Sequence, residues 1–193
     1  MHIRLAEETE SRPWSMADLD KALADLKNNK ARDHAGYVNE IFKKEVIGED
    51  LKKSLLLMFN RLKLERMIAE FMRYSNITTV HKRGSLNELN NERGIFRVDV
   101  VRSILMRIIY NEKYPDIDRN MSDSQMGGRK GKGCRNNLFI INGIIHDVLQ
   151  SKKTKPDLLQ QYNYTQMFDS ISIKQAISDM YQAGLIEDNL SLV

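Results

Sequence analysis

Leu19, Leu23 and Leu26 fall on one helical face, and Ser15-Met16-Ala17-Asp18 ahead of them has the form of a capping box, so a helix is predicted over 15–27. It stops at Asn28-Asn29. A loop through Gly36 and a short helix at 38–44 lead to a longer helix at 50–66, where Leu51, Leu55, Met58 and Leu62 form a buried stripe. The first strand is predicted at 74–81 on Ile77, Thr78, Thr79 and Val80. A polar loop at 82–92 follows, then a second strand or extended turn around Ile95 and Phe96. Val98, Val101, Leu105 and Ile108 give a helical face over 98–110, which Pro115 is expected to keep from continuing.

Further along, Leu138, Ile141, Ile145 and Val148 mark another helix. Lys152-Lys153-Thr154-Lys155-Pro156 reads as a solvated turn, 158–162 as a candidate strand, and 170–183 as a last helix with Gly184 at its C-cap. Met58, Met106 and Met167 sit among apolar neighbours and read as core filler. Helices come first and a sheet assembles late, which predicts an α+β fold, mostly helical, whose sheet is incomplete at Val193.

Composition narrows the class. Hydrophobic residues make up 41% and charged residues 29%, which is the balance of a globular chain and excludes a disordered one. Cys134 is the single cysteine, so no internal disulfide can form, and a reducing, intracellular location in cytoplasm or nucleus is the expectation. No apolar run approaches the roughly 20 residues that span a bilayer, and the first residues lack a signal-peptide core, so no membrane partner is expected. His2, His34, His81 and His146 have no spacing with cysteine or carboxylates that suggests zinc, and no protein-held metal is predicted from them.

Charge is most informative where it is concentrated. The net charge is +4, and residues 126–135 alone hold Arg129, Lys130, Lys132 and Arg135 with no acid. One glycine-rich loop therefore carries as much excess charge as the whole chain, the footprint expected of a phosphate-backbone contact. Other phosphate loops do not fit. Gly133 is followed by Cys134 and Arg135 where a P-loop needs Lys and Ser or Thr, and Asn136 stands where a dinucleotide fingerprint needs its third glycine.

Four further segments fall in a recognisable order. Leu26-Lys27-Asn28-Asn29-Lys30-Ala31 precedes Gly36 and Asn39-Glu40; Ile77-Thr78-Thr79-Val80-His81-Lys82-Arg83-Gly84 precedes Arg93-Gly94-Ile95-Phe96. Then come Ser124-Gln125-Met126-Gly127-Gly128-Arg129-Lys130-Gly131-Lys132-Gly133 and, near the end, Asn163-Tyr164-Thr165-Gln166-Met167-Phe168-Asp169-Ser170. Over 14–193 this series resembles the N-terminal part of the reverse transcriptase domain of non-LTR (LINE-type) retrotransposons. The resemblance implies a right-hand polymerase with fingers over about 14–120 and the fingers–palm junction and first palm motif over 121–193. The rest of the palm and the thumb are expected to be absent, leaving a truncated sheet with an unpaired edge.

The resemblance also implies roles. Lys82 and Arg93, with Arg83 as an alternative to Lys82, would reach an incoming nucleotide triphosphate, where a cation neutralises developing charge. Phe168 would pack under the sugar, and Asp169 would belong to the same nucleotide site. Gln125, Gly127, Arg129, Lys130 and Lys132 would contact the template strand. Asn163 stands where the family has the aspartate that binds both Mg2+ ions, and a neutral amide is a poor ligand for that hard cation. Arg32-Asp33-His34-Ala35-Gly36 keeps only one Asp and one Gly of the family's Pro-Gly-x-Asp-Gly pattern, and no adjacent pair of aspartates occurs in the 193 residues. The expectation is a divergent fingers and partial-palm region, inactive as a polymerase by itself, whose partners are an RNA template and a DNA primer. A non-catalytic RNA- or DNA-binding module, or an unrelated helical scaffold for protein partners, are the competing readings.

Overall fold

A computed structural model describes residues 12–150, 160, 162 and 171–182 of the chain. The described residues fall into two compact units, one up to residue 114 and the other from residue 115 onward. The described residues form an α+β arrangement, mostly helical, with one small antiparallel sheet. In chain order they are α1 (Met16–Ala24), α2 (Glu49–Glu65), β1 (Ser75–His81), β2 (Glu92–Val98), α3 (Val100–Asn120), α4 (Cys134–Gln150) and α5 (Ile173–Gln182). The predicted turn at Lys152–Pro156 and the motif from Asn163 to Ser170 lie outside the described residues, as does Gly184; of the candidate strand at 158–162 only residues 160 and 162 are described.

In the first unit the predicted capping box is present. Ser15 Oγ accepts from the Asp18 amide, and the Asp18 carboxylate accepts the Ser15 amide at 2.8 Å, so two donors at the start of α1 are satisfied reciprocally. The short helix expected at 38–44 is a single 3-10 turn, Asn39–Phe42, which still buries Phe42. The second strand is complete rather than an extended turn: Ser75 to His81 pair with Val98 to Glu92 residue for residue. Both faces of this hairpin are exposed, with Ile77 and Phe96 on one and Val80 and Ile95 on the other.

Two expectations need correction. α3 does not stop short of Pro115 but runs through it to Asn120. A proline inside a helix forfeits one hydrogen bond and crowds the carbonyl four residues back. That local cost is tolerated in a helix already seated on Val100, Val101, Ile104, Leu105, Ile108 and Ile109. The buried face of α2 is also rotated from the predicted stripe. Leu55 and Leu62 are buried, but Leu51 is 43% exposed, and the face is completed by Lys52, Phe59 and Lys63.

The two lysines are buried because each has an anionic partner. Lys52 Nζ lies 3.0 Å from Glu49 and 3.2 Å from Asp20 of α1. Lys63 Nζ donates to the Arg12 carbonyl at 3.0 Å, sits 3.6 Å from Glu112 of α3 and stacks 4.3 Å over the Trp14 ring. Trp14 is the hub of this arrangement. Its indole donates to Glu112 at 2.6 Å, its amide donates to Asn60 of α2 at 2.7 Å, and its carbonyl accepts from the same side chain at 3.0 Å. Around it Leu19, Leu23, Phe59, Met72, Ile104 and Leu105 are fully buried.

Asp33, the one acid kept from the divergent Arg32–Gly36 segment, is buried and has a structural role. Its carboxylate accepts the amides of Ala35 and Tyr37 at 3.0 and 2.8 Å, and that of Val100 at 3.2 Å. Asp99 accepts the amides of Val101 and Arg102. The first donors of α3, which have no partner within the helix, are thus satisfied by two carboxylates. Asp33→Ala should cost about 1–3 kcal/mol, the range for a buried donor left unsatisfied, measured by urea unfolding.

Glu112 makes the first unit sensitive to acid. Burial beside Trp14 pushes its carboxyl upward, but the Trp14 indole and the ammonium groups of Lys63 and Lys113 together outweigh burial and hold it below the usual glutamate value. A depressed carboxyl contributes stability that is present above its unfolded pKa, about 4.3, and is lost as pH falls through the lower folded value. Unfolding followed by the fluorescence of the single tryptophan should therefore show stability falling below about pH 4. Glu112→Gln should be less stable at pH 7 and decline less steeply in acid; an identical decline would exclude Glu112 as its source.

Candidate nucleic-acid interface

Two sets of cations were predicted to meet phosphate, and they lie in different units. The hairpin set belongs to the first. Arg93 stands opposite Val80 in the ladder, and Lys82, two residues beyond Val80, donates its amide to the Asn91 carbonyl at 2.8 Å as pairing ends. Lys82, Arg83 and Arg93 are all exposed, so the structure brings the two preferred candidates and the alternative to the same end of one hairpin. The turn is tightened at Gly84, whose φ is +94° and whose missing Cβ would meet the Asn91 amide at 2.7 Å. His81 and Glu92 close the last strand pair at 3.2 Å.

The loop set belongs to the second unit and joins α3 to α4. Four glycines fall between 126 and 135, of which Gly128 and Gly131 have φ of +76° and +75°. These two need the left-handed region, which a side chain disfavours. Nothing lies within 4 Å of a Cβ built on either, so backbone conformation and not close packing explains them. At the far end the Gly133 amide donates to the Asn136 side chain at 3.1 Å while the Asn136 amide donates to the Gly133 carbonyl at 3.0 Å, fixing the entry to α4.

Polar side chains complete the loop. Gln125 donates from its amide group to the Gly127 carbonyl at 3.1 Å, so it shapes the turn that Gly127 enters. Arg129 is the least exposed of the cations, with 7% of its side chain accessible. Its Nε donates to the Asp118 carboxylate at 2.8 Å, its Nη2 to the Asp118 carbonyl at 3.3 Å, and its Nη1 to the Ser122 carbonyl at 2.9 Å. Lys132 is about one third exposed and lies 3.8 Å from the carboxylate of Asp123. Lys130 and Arg135 are exposed.

Arg135, which the sequence places in the basic window without a template role, lies in the first turn of α4, open to solvent. Sequence counting gave no sign that Asp118 and Asp123, just outside the basic window, would turn two of the cations inward. Beyond the loop, α4 buries none of its side chains, and Leu138, Phe139 and Leu149 are among its exposed apolar residues.

The predicted nucleotide and metal residues Asn163, Phe168 and Asp169 lie outside the described residues. Among the described residues no three His, Cys, Asp or Glu side chains converge on a metal site, and no helix is long and apolar enough to cross a membrane.

Gly131→Ala should destabilise the loop by about 1–2 kcal/mol, the cost of a left-handed residue with a Cβ, read as faster amide exchange over 122–133. Gly127→Ala, at a position with ordinary φ and only an ordinary contact to Gln125, should leave exchange unchanged. Equal effects would mean that the glycines serve some purpose other than backbone conformation.

Comparison with known families and with curated proteins finds no match for this chain.

Proposed function

We propose that this chain is a nucleic-acid-binding region of reverse-transcriptase type, derived from a non-LTR retrotransposon polymerase and without polymerase activity of its own. On this reading the first unit is the fingers and the second the junction with the palm of a right-hand polymerase. Its partners are an RNA template and a DNA primer. The observation that carries the reading is the ordered basic loop, which displays Lys130 and Arg135 to solvent with Lys132 beside them on a backbone fixed by glycines and hydrogen bonds. Cations held on an ordered loop suit a polyanion whose charges recur at regular spacing. The hairpin cations Lys82 and Arg93 would add a second contact.

The lack of activity rests on Asn163. Two-metal phosphoryl transfer needs charged oxygen ligands shared between the ions, and the amide of Asn163 supplies none, so the residues present do not fit a productive Mg2+ pair. No metal-dependent step is assigned to this chain.

Binding to a labelled single-stranded RNA should weaken with salt, with a slope of log affinity near −0.7 per phosphate contact. Replacing Lys130, Lys132 and Arg135 together by alanine should reduce that slope by about 2, and an unaltered slope would remove the loop from the interface. Primer extension with Mg2+ on a primed RNA should stay at the level of the no-protein control. Extension above it would overturn the assignment of Asn163.

A further inference from the structure

We infer that Arg129 is the brace of the basic loop and not one of its phosphate contacts, so that nucleic-acid affinity depends on an ion pair with Asp118 that touches no nucleic acid. The binding half of this inference rests on the function proposed above; the structural half does not.

The geometry separates Arg129 from its neighbours. All three guanidinium nitrogens are engaged, with the Asp118 carboxylate, the Asp118 carbonyl and the Ser122 carbonyl. A bond from an ionised donor to an ionised acceptor is the strong kind, and it is strengthened here by burial of the guanidinium. To reach a phosphate, Arg129 would have to leave a carboxylate at 2.8 Å and give up its bonds to two backbone carbonyls, which would each keep one backbone donor, from Met121 at 3.3 Å and Gln125 at 3.0 Å. Exchanging one anion for another gains little, and two charge-assisted bonds are lost with it.

What the contacts hold is equally specific. Asp118 is in the last turn of α3, Ser122 is near the start of the loop, and Arg129 sits between the left-handed Gly128 and Gly131. One side chain therefore ties the middle of the loop, where glycine leaves the backbone most freedom, to the end of a helix. The Arg129 carbonyl in turn accepts the Lys132 amide at 3.2 Å, so the brace also fixes where Lys132 leaves the backbone. Arg135, exposed at the start of α4, is free of this arrangement and can reach a polyanion without dismantling it.

Electrostatics and bracing predict opposite signs for Asp118. If charge alone matters, Asp118→Ala makes the loop more positive and tightens RNA binding. If the pair is a brace, Asp118→Ala weakens binding although the chain gains net positive charge.

The test uses the full chain, a labelled single-stranded oligouridylate, a salt series, and amide exchange of the free protein. Arg129→Ala and Asp118→Ala should each speed exchange over 122–133 by about tenfold or more, the scale of losing a hydrogen bond to a charged group. Each should weaken RNA binding at every salt concentration with the slope unchanged, whereas Arg135→Ala should lower the slope by about 0.7. The double variant should be no weaker than the worse single. Unchanged exchange in both variants overturns the brace, whether or not RNA binds. Tighter binding by Asp118→Ala, or a slope lost in Arg129→Ala as in Arg135→Ala, overturns it as well. Absence of salt-dependent binding by the unaltered chain overturns the proposed function, and the exchange result then still decides whether Arg129 braces the loop.

Discussion

The first unit is organised around one carboxylate. Glu112 receives the Trp14 indole at 2.6 Å and lies 3.5 and 3.6 Å from the ammonium groups of Lys113 and Lys63. These donors come from the segment before α1, from α2 and from α3 itself. Burying any of them alone would leave an uncompensated polar group in an apolar surrounding, which is costly. Together they fix the rotation of α2, because Lys63 must face Glu112 and Lys52 must face Asp20. Leu55, Phe59 and Leu62 then fall on the core side, and Leu51 is turned out. Hydrophobic burial drives the collapse, and the ionic contacts select the register.

A similar device recurs in the second unit at a different scale. There the loop between α3 and α4, whose large apolar side chains are the half-buried Met121 and Met126, is tied to the end of α3 by Arg129 and Asp118. Glycines at 128 and 131 permit the path but give the unfolded chain many alternatives to it. A charge-assisted bond to a helix end offsets that entropy.

Local features were legible in the sequence. The capping box at Ser15, the presence of the helices and the strand at Ile77 to Val80 depend on residues within one or two turns of each other, and each appears, whereas the buried face of α2 is rotated from its predicted stripe and α4 buries none of its side chains. What could not be read were contacts between distant positions. Trp14 and Glu112 are 98 residues apart, and Asp33 and the Val100 amide are 67 apart, so no window-based pattern could pair them. The predicted stop at Pro115 failed for a related reason: intrinsic propensity describes an isolated helix, and α3 is held by its buried upstream face. At the candidate interface the sequence identified the loop but assigned its cations by count, since inward and outward arginines look alike without their partners.

That difference bears on how a charge cluster should be read. Like charges packed into ten residues repel one another, and the repulsion favours loosened conformations in which no spacing is maintained. A loop that must present several cations at fixed positions therefore needs an internal anchor that does not neutralise all of them. With Arg129 as that anchor and Lys132 near Asp123, Lys130 and Arg135 are the cations most directed to solvent. On the proposed function this lowers the number of phosphate contacts below the four cations of the segment. It also gives a neighbouring acid a part in binding without touching nucleic acid: Asp118 sacrifices one unit of attraction and, by ordering the loop, makes the remaining attraction directional.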